Sequence, residues 1–178
     1  MKKIAHRGYK TSKIKENTME AFINAQNNGF EGIEFDVRRT KDGVLVVCHD
    51  ATIDRVSDGT GFIKDKTYEE LSKYNFGSDD VHSKIVKFES VLGKFPGMIK
   101  LVELKVEVDL EPYLDLIDER TYFMSFDNGM IKRLKKKHPK LKCGVLNYVL
   151  NSKLNFQADM VAILDMVATD EIVMSFLK

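Results

Sequence analysis

Gly32-Ile33-Glu34-Phe35-Asp36-Val37 alternates two carboxylates with three large apolar residues. A strand has a side-chain period of two, so Glu34 and Asp36 share one face while Ile33, Phe35 and Val37 share the other. In a parallel sheet both faces are normally covered, and two adjacent carboxylates there repel and lose hydration unless a cation compensates them. The alternative is a strand end standing in solvent.

Outward from this stretch, β-rich runs alternate with helical patterns. The expected strands are Lys3 to Arg7, Gly32 to Arg38, Val44 to His49, Leu101 to Val106, Tyr122 to Phe126, Cys143 to Asn147 and Met160 to Leu164. Between the first two, Asn17-Thr18-Met19-Glu20 reads as a helix cap, Met19, Phe22 and Ile23 form an apolar face, and Gly29 stops the helix. Asp127 caps a second helix with Met130, Ile131 and Leu134 facing inward, and Pro139 ends it before the next strand. Strands alternating with helices predict a parallel sheet, closed or doubly wound. No glycine-rich Rossmann or P-loop stretch favours the open form. Residues 51–97 break the rhythm and read as an inserted segment after the third strand, packed over the sheet of one domain spanning 1–178.

The chain has 178 residues with 28 basic and 27 acidic side chains, a balance that argues against a generally basic nucleic-acid binder or an acidic tail protein. Its apolar runs, such as Met160 to Leu164, are far shorter than the roughly 20 residues a transmembrane helix needs. Met1-Lys2-Lys3 leads too quickly into His6-Arg7 for a signal peptide, so a cytoplasmic location is expected. Cys48 and Cys143 are expected to be reduced and structural. The basic run from Lys132 to Lys142 reads as a solvated helix face, and His82 and His138 as surface residues.

The i, i+2 pattern recurs at Glu103 and Lys105. Glu34, Asp36 and Glu103 together make an all-oxygen set suited to Mg²⁺, Ca²⁺ or Mn²⁺ and not to Zn²⁺. His6 and His49 both stand at strand exits, where parallel α/β folds place their sites, and so suggest a general acid and a general base. Arg7 offers a fork for phosphate oxygens and Lys105 a point charge, so the expected substrate is anionic.

These residues fall in motifs that resemble the glycerophosphodiester phosphodiesterases. His6-Arg7-Gly8, Glu16-Asn17-Thr18 with Ala21-Phe22, Gly32 to Val37, Thr40-Lys41-Asp42-Gly43 with His49-Asp50, Asp54-Arg55, Gly59-Thr60-Gly61, Glu103-Leu104-Lys105 and Ser125-Phe126-Asp127 occur in that family's order across residues 3 to 165. The resemblance implies a TIM-type (β/α) barrel and metal-dependent hydrolysis of glycerophosphodiesters to glycerol 3-phosphate and an alcohol. It also implies His6 and His49 as the acid/base pair, Glu34, Asp36 and Glu103 as ligands of a divalent cation, and Arg7 and Lys105 as substrate contacts. An alternative is a catalytically silent barrel that binds a phosphorylated ligand or a partner. The family's last strand usually carries Trp, and this chain has none. About seven strands are countable, so the barrel is expected to be shortened, with a homo-oligomeric partner or an irregular C-terminal segment covering the open edge.

Overall fold

The computed structural model describes residues 2–147 and 158–163. Strand β2 (Gly32–Arg39) is its centre. One edge of β2 pairs in parallel with β5 (Ile99–Leu104), and the parallel order continues through β6 (Thr121–Ser125), β7 (Lys142–Asn147) and β8 (Met160–Ile163). The other edge is shared: β1 (Ile4–His6) pairs in parallel with its first half and β3 (Leu45–Val47) runs antiparallel along its second. A two-residue strand, β4 (Val86–Lys87), extends β3. This is a TIM-type barrel shortened to six parallel strands among the described residues, with an antiparallel arm. The expected strands recur within two residues of their bounds; Leu164 lies outside the described residues.

The expected strand at Val44 to His49 does not follow the parallel rhythm, for a local reason. Only Thr40-Lys41-Asp42-Gly43-Val44 separates it from β2, whereas a parallel crossover needs a dozen or more residues. Thr40 N–H donates to the Val44 carbonyl at 3.0 Å and Gly43 takes φ +86°, which closes a hairpin.

The helices form where the caps predict. Thr18 Oγ1 accepts from Ala21 N–H at the start of α1 (Met19–Asn27), and Asp127 accepts from Met130 N–H at the start of α4 (Asn128–Lys137). In the inserted segment Thr67 and Glu70 form a reciprocal capping box on α2 (Tyr68–Leu71). That segment builds its own apolar cluster around Ile53, Ile63, Leu71 and Phe76. Its last helix, α3 (Phe88–Lys94), instead sends Phe88, Val91 and Leu92 into the main core.

Period-two alternation sorts the sheet into two cores. Ile33, Phe35, Val37, Val102 and Phe123 face the helices. Ile4, Ile99, Leu101, Met124, Leu146 and Met160 fill the barrel interior. Going up each strand from this apolar floor, Ile4 gives way to His6, Gly32 to Glu34 and Asp36, and Leu101 to Glu103. The carboxylates are therefore the upper layer of the interior.

Phe88 is fully buried and touches Phe35, Tyr113 and Phe123 with ring centroids 5.3 to 6.4 Å apart. Truncating it leaves a cavity where the inserted segment meets the sheet, so Phe88→Ala is expected to destabilise the protein by about 3–5 kcal/mol. Urea unfolding checks this.

Cys48 and Cys143 are free and buried, which pushes their thiols up to about 12 and about 11 and leaves them inert. Among the described residues no helix is long and apolar enough to cross a membrane. His138 departs from the surface position expected of it: its side chain is 10% exposed and its Nε2 is buried. It is the C-cap residue of α4, its N–H donating to the Leu134 carbonyl.

Candidate active site

Strand register assembles the acidic cluster. Glu34 pairs with His6 across β1 and β2, and Asp36 pairs with Glu103 across β2 and β5. Glu34, Asp36 and Glu103 are 3%, 1% and 8% exposed, and one oxygen from each lies within 4.8 Å of the other two. Burial, followed by the charges of Asp36 and Glu103, pushes the Glu34 carboxyl well above the ordinary range. Burial also raises Glu103, offset by its hydrogen bond from Lys105. Such a set is costly unless a cation shares it.

The cations present meet part of that need. Lys105 donates to Glu103, and its Nζ lies 3.1 Å from Asp36 Oδ1 in an ion pair without hydrogen-bond alignment. Arg7 Nε is 3.4 Å from Asp36 Oδ2, and its Nη1 donates to Glu16 at 3.1 Å. Asp36 Oδ1 and Arg7 Nε are both buried without a hydrogen-bond partner. An acceptor and a donor, each left open, fit a divalent cation and an anionic oxygen respectively.

The loop after β1 is built to hold this arrangement. Arg7 and Asn17 adopt φ of +57° and +56°, a costly conformation for residues with a side chain. The strain is held by Arg7 N–H donating to Glu34 Oε2 at 3.0 Å and Asn17 N–H donating to the Arg7 carbonyl at 2.9 Å. Asn17 Nδ2 donates to Asp36 Oδ2 at 2.9 Å. Gly8 is obligatory here: at φ +80°, a Cβ would stand 2.6–3.0 Å from Ala21 in α1.

His6 Nε2 is 3.8 Å from Glu34 Oε2. Burial, with the Arg7 charge next to it, lowers the His6 imidazole to about 4, so the ring is neutral at physiological pH. His49 follows β3, whose end is tied to the site by Cys48 N–H donating to the Asp36 carbonyl at 3.0 Å. Arg38 grips the His49 carbonyl with two nitrogens, at 2.9 and 2.7 Å. His49 Nδ1 hydrogen-bonds Asp50 at 2.6 Å, which leaves Nε2 for chemistry. The Arg55 guanidinium and His49 hold Asp50 at about 2, fully ionised, and Arg55 also donates to Glu16 at 2.7 Å. Burial works to raise Glu16, but Arg55 and Arg7 keep it below the ordinary range.

His6, Arg7, Glu34, Asp36, Glu103 and Lys105 thus converge, with His49 on the adjoining strand exit. Four further side chains had no assigned role in the sequence: Glu16 and Asn17 brace Arg7 and Asp36, while Asp50 and Arg55 brace His49. Their signal was membership in the same short motifs, Glu16-Asn17-Thr18, His49-Asp50 and Asp54-Arg55.

Fold and rim together define a barrel-type α/β protein with an acidic, histidine-flanked cluster at the carboxyl ends of its strands. Within that class, the chain belongs to the glycerophosphoryl diester phosphodiesterase family, whose model matches residues 6–136. It is 37% identical over 161 residues to a glycerophosphodiester phosphodiesterase of Caldanaerobacter subterraneus subsp. tengcongensis, covering 80% of this chain and 65% of that one. The chain therefore spans just under two thirds of that curated relative. Among solved structures, the glycerophosphodiester phosphodiesterase from Agrobacterium tumefaciens superposes with a TM-score of 0.80 at 28% identity, covering 92% of this chain and 76% of the other. A phosphodiesterase from Oleispira antarctica, solved with the product sn-glycerol-3-phosphate, shares the fold with a TM-score of 0.80 at 23% identity, covering 92% and 74%.

Proposed function

We propose that the chain hydrolyses glycerophosphodiesters to glycerol 3-phosphate and an alcohol, with Glu34, Asp36 and Glu103 holding a divalent cation of the Mg²⁺ or Ca²⁺ class. The observation that carries this reading is the convergence of three buried carboxylates around an Asp36 oxygen that no donor satisfies. The family, and the product bound to the Oleispira protein, support the substrate class.

The cation, once bound, supplies Lewis-acid chemistry: it offsets phosphoryl charge and lowers the pKa of the attacking hydroxyl. The rest falls to the chain. Arg7 Nε, facing the cluster with no aligned hydrogen bond, donates to a phosphoryl oxygen, and Lys105 adds positive charge beside it. His6, held neutral, accepts the proton of the attacking hydroxyl. As the new P–O bond forms, the bond to the alcohol breaks and its electron pair goes to the leaving oxygen. His49, oriented by its Nδ1 contact with Asp50, gives a proton from Nε2 to that oxygen. The same two imidazoles serve whether water or the glycerol 2-hydroxyl attacks.

Following glycerophosphocholine, glycerophosphoethanolamine and glycerophosphoglycerol by ³¹P NMR tests the reading. Release of glycerol 3-phosphate supports it, and intact substrate at every divalent ion tried contradicts it.

Cation binding also has a proton signature. The raised Glu34 carboxyl binds a proton in weak acid, and a cation must displace it. That carboxyl therefore stabilises the cation-free fold most in acid and loses the effect as pH rises through its shifted value. Calorimetry of Mg²⁺ binding on the acid side of neutrality, in two buffers of different ionisation enthalpy, is expected to show proton release and an affinity that rises with pH. Equal heats in both buffers would count against displacement.

A further inference from the structure

A second set of metal-ligating side chains lies away from the carboxylate rim. Asp109, Glu111 and His138 each offer one ligand atom within 4.8 Å of the other two. Asp109 and Glu111 stand on the connection from β5 to β6, whose second half is a 3-10 turn (Glu111–Leu116), and His138 ends α4 just ahead of β7. His138 is thus at the amino ends of the strands, whereas His6 and Glu103 are at their carboxyl ends. Two exposed acids alone would be an ordinary solvated pair. His138 changes that, because its side chain is nine-tenths buried and its Nε2 has no hydrogen-bond partner, yet it points toward Glu111 Oε2 from 3.8 Å. A buried ring nitrogen left open in this way is uncommon and asks for a ligand.

We propose that His138, Glu111 and Asp109 form a second metal site, for a borderline transition dication of the Zn²⁺ class. The donor set decides the class: one imidazole with two carboxylates suits Zn²⁺ or its neighbours, in contrast to the all-oxygen rim. The spacing agrees. Ligands about 2.1 Å from a tetrahedral ion stand roughly 3.4 Å apart, so His138 and Glu111 need to close by only a few tenths of an ångström. Asp109 and Glu111 are largely exposed, and Asp109 Oδ1 already accepts from Glu111 N–H at 3.3 Å, which holds the two carboxylates on one turn. His138 also lines one side of a cleft of about 600 Å³ with Leu114, Ile117 and Lys140. A bound ion would pin the β5–β6 connection to the end of α4. One cation already competes for the site, since Lys137 Nζ lies 2.8 Å from Asp109 Oδ1.

The chain has four His, so imidazole ¹H–¹⁵N spectra resolve the site directly. The experiment titrates ZnCl₂ into the full chain with excess Mg²⁺ guarding the rim. The His138 Nε2 resonance is expected to shift on binding and to stay unmoved in the Asp109→Asn/Glu111→Gln variant, whose changes are on exposed side chains and spare the fold. Lys137→Met removes the competitor and is expected to tighten zinc binding by about tenfold, a gain that a damaged fold cannot produce. A His138 signal that does not move up to millimolar zinc overturns the proposal. So does one that moves equally in the double variant, since the carboxylates would then take no part.

Discussion

Asp36→Asn is expected to lower turnover of glycerophosphocholine by about three orders of magnitude with the fold intact. Asp36 is the convergence point of the site: Asn17 donates to it, and Arg7 and Lys105 pair with it from opposite sides. The amide keeps the shape and the Asn17 contact to its remaining oxygen, so α1 and β2 stay in place. What it removes is one unit of negative charge between two cations, together with the buried oxygen that accepts no hydrogen bond. Lewis-acid stabilisation is worth several kcal/mol, and each 1.36 kcal/mol is tenfold in rate. Steady-state kinetics over a range of Mg²⁺ concentration checks the prediction, with unfolding curves as the control. Near-normal turnover at ordinary Mg²⁺ would remove Asp36 from the cation site.

His6→Ala and His49→Ala are each expected to cost between about 10² and 10⁴ in kcat, the range that positioned acid–base groups supply. The double variant should lose little more than the worse single one, because two groups that act in one proton transfer sequence are not additive. The two singles differ in the step they slow. His6 is neutral down to about pH 4, so its loss removes the base that takes the attacking proton. His49 is oriented by Asp50, so its loss falls on protonation of the leaving oxygen and should be smaller for substrates with a more acidic alcohol. Additive losses, or the same dependence on the leaving alcohol in both variants, would contradict a division of labour between the two rings.

Much of this site was readable in the chain because it follows from strand periodicity. Glu34 and Asp36 could be placed on one face from the alternation with Ile33, Phe35 and Val37, and the structure adds only that the face looks into the barrel. The meeting of Asp36 with Glu103 was another matter. It depends on the register of β2 against β5, strands 67 residues apart at that pair, and no local pattern fixes such a pairing. Motif order across the family made it expected. The antiparallel turn of β3 was legible in principle, since five residues cannot make a crossover.

What stayed hidden were contacts between loops. Arg55 reaches Glu16 across 39 positions, and Asn17 reaches Asp36 across 19. These link the two histidine-bearing exits through Arg7, Glu16, Arg55 and Asp50 in a continuous chain of charge pairs. Sequence distance conceals such links because side-chain contacts between loops carry no period. His138 was hidden for a similar reason: a helix C-terminal His is exposed by default, and no local pattern announces that its side chain is nine-tenths buried.

Chelation tests the central claim most directly. Glycerol 3-phosphate release from glycerophosphocholine is measured with Mg²⁺ or Ca²⁺, then after EDTA, then after the ion is restored. Activity that vanishes with EDTA and returns with the ion is the predicted result. Undiminished turnover in EDTA would mean that Glu34, Asp36 and Glu103 serve some purpose other than gripping a catalytic cation.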